Sequence, residues 1–273
     1  MKQVIFLFCV LFINSALAQQ NSLNLKSHAV MVFDTQNNHI IYDKNVDNIM
    51  PIASITKLMT AMVILDAQLS LSEKLKIDSD DVDKIKNTRS RLQVGASFAR
   101  HELLRLALMS SENRAAAALG RTYPGGTQEF VKAMNKKAYK LGMNDSYFVE
   151  PTGLSVANVS TARDLAKMVA VAYDYNIIRE FSTTTKHVVT PRNRKNKLQF
   201  VNSNSLVRSN NWKIAVSKTG FLNEAGRCLV MQAKITGKPI VIVLLNSWGK
   251  NTRIGDANRV RKWMEINRDR EPV

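Results

Sequence analysis

The chain has 273 residues, of which 45% are hydrophobic and 22% are charged; this is ordinary globular composition, sufficient for a core in one large domain or two. The formal net charge of +17 points to a polyanionic partner. Because the chain opens with an export signal, we expect no nucleic-acid partner. An anionic cell wall or membrane surface fits the charge better, with a merely soluble basic protein as the alternative.

The first residues have the features of a secretory leader. Lys2 precedes an apolar run at 4–13, and Ala16-Leu17-Ala18 forms a small-x-small cleavage site. The run is shorter than the roughly 20 residues that a membrane span needs. We therefore predict a signal peptide over 1–18, cut after Ala18, and a periplasmic protein comprising 19–273. An uncleaved anchor is the alternative.

The mature chain is expected to contain no internal disulfide. Of its two cysteines, Cys9 lies inside the apolar run and leaves with the leader. Cys228 then has no partner within the chain, so the fold must be held by its core. We interpret Cys228 as a buried, small apolar residue of a strand.

Two short runs rich in β-branched residues, 29–34 and 39–43, flank a polar turn and predict a hairpin. A helix is predicted from Ser54, because Pro51 suits a helix entry and apolar residues then recur at three- and four-residue spacing. The face that this helix buries would comprise Ile55, Leu58, Met59, Met62 and Val63.

The middle of the chain is predicted to be almost entirely helical. The segment 71–99 is polar and mixed, and we interpret it as peripheral. A capping box formed by Thr161 and Asp164 begins a later helix. The helices between them are predicted over 101–108, 114–123 and 127–141.

The pattern returns to strands near the carboxyl end, over 213–220, 228–235 and 239–245, before a final helix over 256–267. Two early strands and three late ones predict an α+β fold, with an antiparallel five-stranded sheet built from both ends of the chain.

The helical block would then be an all-helical lobe inserted into the sheet lobe. We place the sheet lobe at about 26–66 and 198–268, and the helical lobe at about 67–197. A cleft should run between the two lobes, and such clefts are where ligands bind.

Ser54 and Lys57 are the first candidates for chemistry, because they lie one helical turn apart on the same side. As a helix cap the pair is poor, since an acidic residue would suit the position of Lys57 better. A lysine beside a positive helix end and an apolar run has a lowered pKa and can act as a base. A serine within reach of a neutral amine is an activated nucleophile.

Two further motifs follow in order, Ser111-x-Asn113 and Lys218-Thr219-Gly220. With Ser54-x-x-Lys57 they form the motif set of class A β-lactamases and penicillin-binding proteins. The chain resembles the low-molecular-mass penicillin-binding proteins, the D-alanyl-D-alanine carboxypeptidase/endopeptidase group, and is most similar to their soluble periplasmic endopeptidases. The stretches that carry the resemblance are 53–62, 111–116, 123–126, 150–155, 158–165 and 217–221.

The resemblance implies a β-lactamase/transpeptidase-like fold and a role for each motif residue. Ser54 would be the acyl-ester nucleophile and Lys57 its proton acceptor, while Ser111 would relay a proton to the leaving amine. Asn113 would orient Lys57 and hold the substrate amide.

The resemblance also implies a binding site for the free carboxylate beside the scissile bond, formed by Lys218 and Thr219. Gly220 would leave room for the substrate along the strand. The backbone N–H groups of Ser54 and Phe221 would form the oxyanion hole. No metal or other cofactor is expected.

Glu150-Pro151 resembles the stretch that carries the deacylating glutamate of class A β-lactamases, but Thr152-Gly153-Leu154-Ser155 departs from that pattern. We interpret Glu150 as part of a structural turn. Without a deacylating base, penicillin should inhibit the protein covalently rather than be destroyed by it.

The predicted function is hydrolysis of D-alanyl-diaminopimelate cross-links in peptidoglycan, as part of cell-wall remodelling, with at most peripheral membrane contact. Few residues follow Gly220, and strands and a helix account for them, which favours the soluble form of the family. The alternatives are a carboxypeptidase that removes terminal D-Ala, a β-lactamase, and a non-catalytic β-lactam-sensing or wall-binding module.

Overall fold

The structure, a computed structural model, describes residues 23–191, 197–209 and 211–267. The predicted signal peptide and its cleavage site lie outside the described residues. Strands and helices below are numbered in chain order.

Both ends of the chain build one antiparallel sheet, as predicted. Its strands are β1 (Ser27–Asp34), β2 (His39–Lys44), β9 (Ile214–Leu222), β10 (Gly226–Ile235) and β11 (Lys238–Ser247). They lie in the order β2-β1-β11-β10-β9, and every neighbouring pair is antiparallel. Strand β9, which carries Lys218-Thr219-Gly220, is therefore at an edge of the sheet.

Strand residues alternate between two apolar layers, because successive side chains point to opposite faces. In β1, Ala29 and Met31 join the core cluster that includes the central helices, whereas Val30 and Val32 join the cluster on the other face. Because both faces of the sheet are buried, the central strands are continuous apolar runs in the sequence.

Eight α-helices surround the sheet. They are α1 (Thr56–Asp66), α2 (Arg100–Met109), α3 (Asn113–Arg121), α4 (Gly126–Lys140), α5 (Ala162–Ala172), α6 (Asn176–Ser182), α7 (Ser205–Arg208) and α8 (Thr252–Ile266) within the described ranges. Helix α8 packs on one face of the sheet and α5 on the other, while α1 lies between α5 and the group α2–α4. Half of the capping box predicted at α5 is observed: the Thr161 hydroxyl accepts from the N–H of Asp164 at 3.1 Å, whereas the Asp164 carboxylate accepts from the N–H of Asp145.

The prediction that the Ser54 helix buries only one face is wrong. Every residue from Thr56 to Ile64 is buried, because α1 is surrounded by other helices and not by solvent. Ser54 itself lies before the α-helix, in a 3₁₀ turn over Ala53–Ile55. The final helix also begins at Thr252 and not near 256.

Short strands that the sequence analysis missed occur within the mainly helical inserted segment and on its borders. They pair as β3 (Met50–Pro51) with β6 (Val159–Ser160), β4 (Lys74–Lys76) with β5 (Ser97–Ala99), and β7 (Lys186–Val189) with β8 (Leu198–Val201). Strands of two to four residues are too short to show an alternating pattern.

Cys228 is fully buried in β10 and unpaired, as predicted. Burial raises the pKa of its thiol to about 11. The thiol is therefore protonated at neutral pH and behaves as a small apolar group.

Gly153 fixes the approach of one loop to Ser54, and we expect Gly153→Ala to lower the free energy of unfolding by about 3 kcal/mol or more. The glycine has φ +79°, and a Cβ there would stand 2.0 Å from the carbonyl oxygen of Ala53. Urea denaturation measures the loss. The matched control is Gly142→Ala, since Gly142 has φ +67° but open space around the added methyl. That change should reduce stability by only about 1–2 kcal/mol, and equal losses in both variants would contradict the steric argument.

Candidate active site

The side chains of Ser54 and Lys57 meet at the amino end of α1. The 3₁₀ turn places them so that Lys57 Nζ is 2.9 Å from Ser54 Oγ. The amine also reaches Asn113 Oδ1 at 2.7 Å and the backbone carbonyl of Thr152 at 2.6 Å. The sequence predicted the first two partners of Lys57 and missed the third.

Lys57 is completely buried, and this burial lowers the pKa of its amine to about 8 from the ordinary 10.5. The carboxylates of Glu150, Glu112 and Asp83 act in the opposite direction and prevent a larger drop. The amine is therefore neutral in a substantial fraction of molecules near physiological pH, as its apolar surroundings predicted.

The three contacts of Lys57 determine the direction of the hydrogen bond to Ser54. A neutral amine has two N–H donors and one lone pair. The oxygens of Asn113 Oδ1 and Thr152 can only accept, so they take both donors. The lone pair then faces Ser54, whose hydroxyl must donate to it. This arrangement is the ground state from which Lys57 removes the proton of Ser54.

The amide orientation of Asn113 is held by a second pair of contacts. The Thr88 hydroxyl donates to Asp83 Oδ2 at 2.7 Å, so its oxygen accepts from Asn113 Nδ2 at 2.9 Å. Asn113 Oδ1 consequently faces Lys57. Both Asp83 and Thr88 belong to the polar segment 71–99, which supports the site rather than being merely peripheral.

Ser111 and Lys218 form the second half of the site. Ser111 lies between α2 and α3 with φ 61°, and its hydroxyl is 2.9 Å from Lys218 Nζ, which also donates to the carbonyl oxygen of Thr219 at 2.8 Å. Lys218 is buried, and this burial, with the nearby charges of Lys57 and Arg253, lowers the pKa of Lys218 well below its ordinary value. The two lysines therefore lie in one groove, as the motif set predicted.

Strand β9 forms the opposite wall of that groove. A Cβ on Gly220 would stand 3.0 Å from the carbonyl oxygen of Ile52 and 3.1 Å from the backbone nitrogen of Ser54, so glycine allows this close approach. Phe221 follows with half of its surface exposed. The Thr219 hydroxyl contacts Ser203 Oγ at 2.7 Å.

Arg253, in the first turn of α8, is a further residue of the site that sequence reasoning missed. Its charge lowers the pKa of Lys218, which places it near the carboxylate-binding motif. Its Nε and Nη1 atoms are buried and have no hydrogen-bond partner among the described residues. Buried guanidinium N–H groups without an acceptor are suited to an anionic group of a ligand. No short motif surrounds Arg253, so only its position in the fold reveals it.

Both carboxylate oxygens of Glu150 are occupied by the turn that follows it, which confirms its structural interpretation. They accept from the N–H of Thr152 at 2.6 Å, the hydroxyl of Thr152 at 2.5 Å and the N–H of Gly153 at 2.6 Å. Asn158 Nδ2 adds a contact at 3.0 Å. This turn presents the Thr152 carbonyl to Lys57.

We expect Glu150→Gln to lower the free energy of unfolding by about 1–3 kcal/mol, because an amide cannot accept all of these bonds. The lifetime of a benzylpenicillin adduct at pH 9 should change less than about twofold, since Glu150 is not the deacylating base. Chemical denaturation and intact-protein mass spectrometry provide the two measurements. A lifetime lengthened a hundredfold would instead show that Glu150 activates the water.

Comparison with known proteins places the chain in a family. The model of peptidase family S11, the D-alanyl-D-alanine carboxypeptidases, matches residues 15–249. The chain belongs to this family. Family S11 relatives include the D-alanyl-D-alanine endopeptidases of Escherichia coli K12, with 49% identity over 89% of this chain and 79% of the relative, and of Pseudomonas aeruginosa, with 47% identity over 88% and 78%.

Solved structures of the family support the fold. The Streptomyces K15 DD-transpeptidase superposes with a TM-score of 0.81 at 26% identity, covering 89% of this chain and 98% of that one. The expected transpeptidase-like fold is thereby confirmed, and the chain is a serine hydrolase of family S11. None of the helices in the described ranges is long and apolar enough to cross a membrane.

Proposed function

We propose that this protein hydrolyses D-alanyl-diaminopimelate cross-links of peptidoglycan through an acyl-enzyme on Ser54. The observation that carries the proposal is the set of contacts around Lys57, whose two carbonyl acceptors direct its lone pair to the Ser54 hydroxyl. The lobes that we assign to 26–66 with 198–268 and to 67–197 would form the walls of the substrate groove.

In the first step Ser54 Oγ attacks the carbonyl carbon of the D-Ala residue while its proton passes to Lys57 Nζ. The oxyanion is stabilised by the N–H groups of Ser54 and Phe221, and one such donor is typically worth about 2.7–4 kcal/mol of barrier. The C–N bond then breaks as Ser111 relays the proton held by Lys57 to the leaving amine, which returns Lys57 to its neutral form. Water finally attacks the ester while Lys57 takes its proton, and Ser54 Oγ receives that proton as it leaves, so that Ser54 and neutral Lys57 are both regenerated.

The substrate carboxylate next to the scissile bond would bind at Lys218 and Thr219, with Arg253 as a third donor. The two buried nitrogens of Arg253 that have no acceptor, and the burial of Lys218 without a carboxylate of the described residues beside it, support this assignment. A terminal D-Ala and the D-centre of diaminopimelate both carry a carboxylate next to the scissile amide. The same three residues, Lys218, Thr219 and Arg253, which we call the carboxylate clamp, would therefore serve both substrates.

The relatives favour the cross-link as the preferred substrate. Proteins named D-alanyl-D-alanine endopeptidase are 49% and 47% identical to this chain, whereas one named D-alanyl-D-alanine carboxypeptidase, from Bacillus subtilis, is 30% identical. Release of terminal D-Ala is the second candidate activity, and the family name supports it.

The leader over 1–18 would export the protein to the periplasm, where the substrate lies. The net charge of +17 is suited to the anionic wall and to peripheral contact with anionic membranes. Penicillins would acylate Ser54 as covalent inhibitors.

Defined cross-linked muropeptide dimers test the proposal. Incubation with the full protein should yield monomers, identified by liquid chromatography and mass spectrometry, and the Ser54→Ala variant should yield none. If the wild-type protein binds penicillin at Ser54 but releases no monomers, the endopeptidase proposal is wrong. Release of D-Ala alone from pentapeptides would then favour the carboxypeptidase.

A further inference from the structure

Two arginines lie close together beside the carboxylate-binding motif. Arg227 opens β10 and its guanidinium carbon lies 4.4 Å from the centre of the Phe221 ring. Arg253 approaches from α8. Burial lowers the pKa of Arg253, and the nearby positive charge of Arg227 lowers it further.

Neither guanidinium is neutralised within the part of the chain that the structure describes. Arg253 has two buried nitrogens without an acceptor, and no carboxylate raises its pKa. Arg227 contacts the Phe221 ring and forms no ion pair with any described residue. Adjacent like charges without counter-ions destabilise a fold, and bound anions remove that repulsion.

The sheet register places Arg227 one step beyond the carboxylate clamp. Thr219 pairs with Leu229, and Phe221 pairs with Arg227. Thr219 and Phe221 point to the same face of β9, because they are two residues apart. Arg227, directly opposite Phe221, therefore lies on the same face of the sheet as Thr219 but one residue pair further along, outside the set Lys218, Thr219 and Arg253.

The Arg227 guanidinium lies over the Phe221 ring and forms no ion pair with a described residue, so its N–H donors are available to a ligand. A guanidinium that stacks on a ring uses its face, and its N–H donors remain directed outward in the plane. A guanidinium oriented by an aromatic ring can donate two parallel N–H bonds to one carboxylate.

We propose that Arg227 binds a second carboxylate of the leaving peptide, beyond the one held by Lys218, Thr219 and Arg253. The inference rests on the proposed peptidase function and identifies a determinant of its specificity. A leaving D-Ala carries only one carboxylate. The peptide strand released from a cross-link carries at least one more, so Arg227 would favour cross-links over terminal D-Ala.

The test compares three substrates with the wild-type protein and with Arg227→Gln: a cross-linked dimer, the same dimer with the further carboxylates of its leaving strand amidated, and a pentapeptide with terminal D-Ala. We expect Arg227→Gln to raise KM for the unmodified dimer about tenfold, the usual effect of one charge-assisted hydrogen bond. KM for the amidated dimer, kcat and the rate of acylation by benzylpenicillin should change less than about twofold. Arg227→Lys should give an intermediate KM, because lysine retains the positive charge but cannot donate two parallel hydrogen bonds to one carboxylate.

The matched control is Arg261→Gln, since Arg261 also stacks on an aromatic ring, at 5.3 Å from Trp212, but near the other end of α8. It should leave KM unchanged for all substrates. If Arg227→Gln raises KM equally for the amidated and unmodified dimers, or raises it as much for the pentapeptide, the second-carboxylate assignment is wrong while the peptidase function stands. If the wild-type protein cleaves no dimer, the proposed function fails and this inference fails with it.

Discussion

Ser54→Ala is expected to reduce both acylation by benzylpenicillin and cleavage of muropeptide dimers by about 10⁴-fold or more. The structure supplies the reason, because Ser54 Oγ is the hydroxyl that Lys57 Nζ contacts, at 2.9 Å. Without this oxygen the buried amine has no nucleophile to activate. Stopped-flow acylation and product analysis by mass spectrometry measure the two rates.

A matched control for this variant is Ser110→Ala. Ser110 lies next to Ser111, but its hydroxyl donates to the carbonyl oxygen of Leu106 at 2.8 Å and takes no part in the groove contacts. Both rates should stay within about twofold of wild type. A Ser54→Ala protein that folds normally and retains more than a hundredth of the acylation rate would show that another residue is the nucleophile.

The rate of acylation should rise with pH through an inflection near 8. Lys57 is active only when its amine is neutral, and burial sets its pKa at about 8. Below that pKa the neutral fraction falls tenfold for each pH unit, so the second-order rate constant with benzylpenicillin should be about a hundredfold lower at pH 6 than at pH 9. The measurement is the pH profile of this rate constant under single-turnover conditions.

Glu150→Gln provides the control for this profile, because the Glu150 carboxylate raises the pKa of Lys57. Removing that charge lowers the pKa further, so the inflection should move to lower pH. Lys57→Arg should abolish acylation at every pH, since a guanidinium stays charged. A flat profile in the wild type, or an inflection that moves upward in Glu150→Gln, would contradict the assignment of Lys57 as the base.

The short motifs were sufficient to predict which side chains meet in the groove. Ser54 and Lys57 are one turn apart, so their contact follows from local geometry. The convergence of Ser111, Asn113 and Lys218 depends on the whole fold, and it was predicted because the motif set and the strand–helix–strand order agree. The five-stranded sheet was predicted for the same reason, since its strands are long apolar runs.

Other features of the site could not be predicted from the sequence. The Thr152 carbonyl is a backbone group, and any residue type could supply it. Thr88 acts on Lys57 only through Asn113, across 25 positions of the chain. Arg253 and Arg227 are ordinary surface residue types in a basic sequence, and they become informative only when the structure reveals that no carboxylate of the described residues forms an ion pair with them.

The attachment site of benzylpenicillin tests the account most directly. After reaction, proteolysis and tandem mass spectrometry, the adduct should be found on Ser54 alone, and at a rate that follows deprotonation of Lys57. An adduct on any other residue, or cleavage of cross-links by a protein that forms no adduct at all, would contradict the assignment of Ser54 and Lys57.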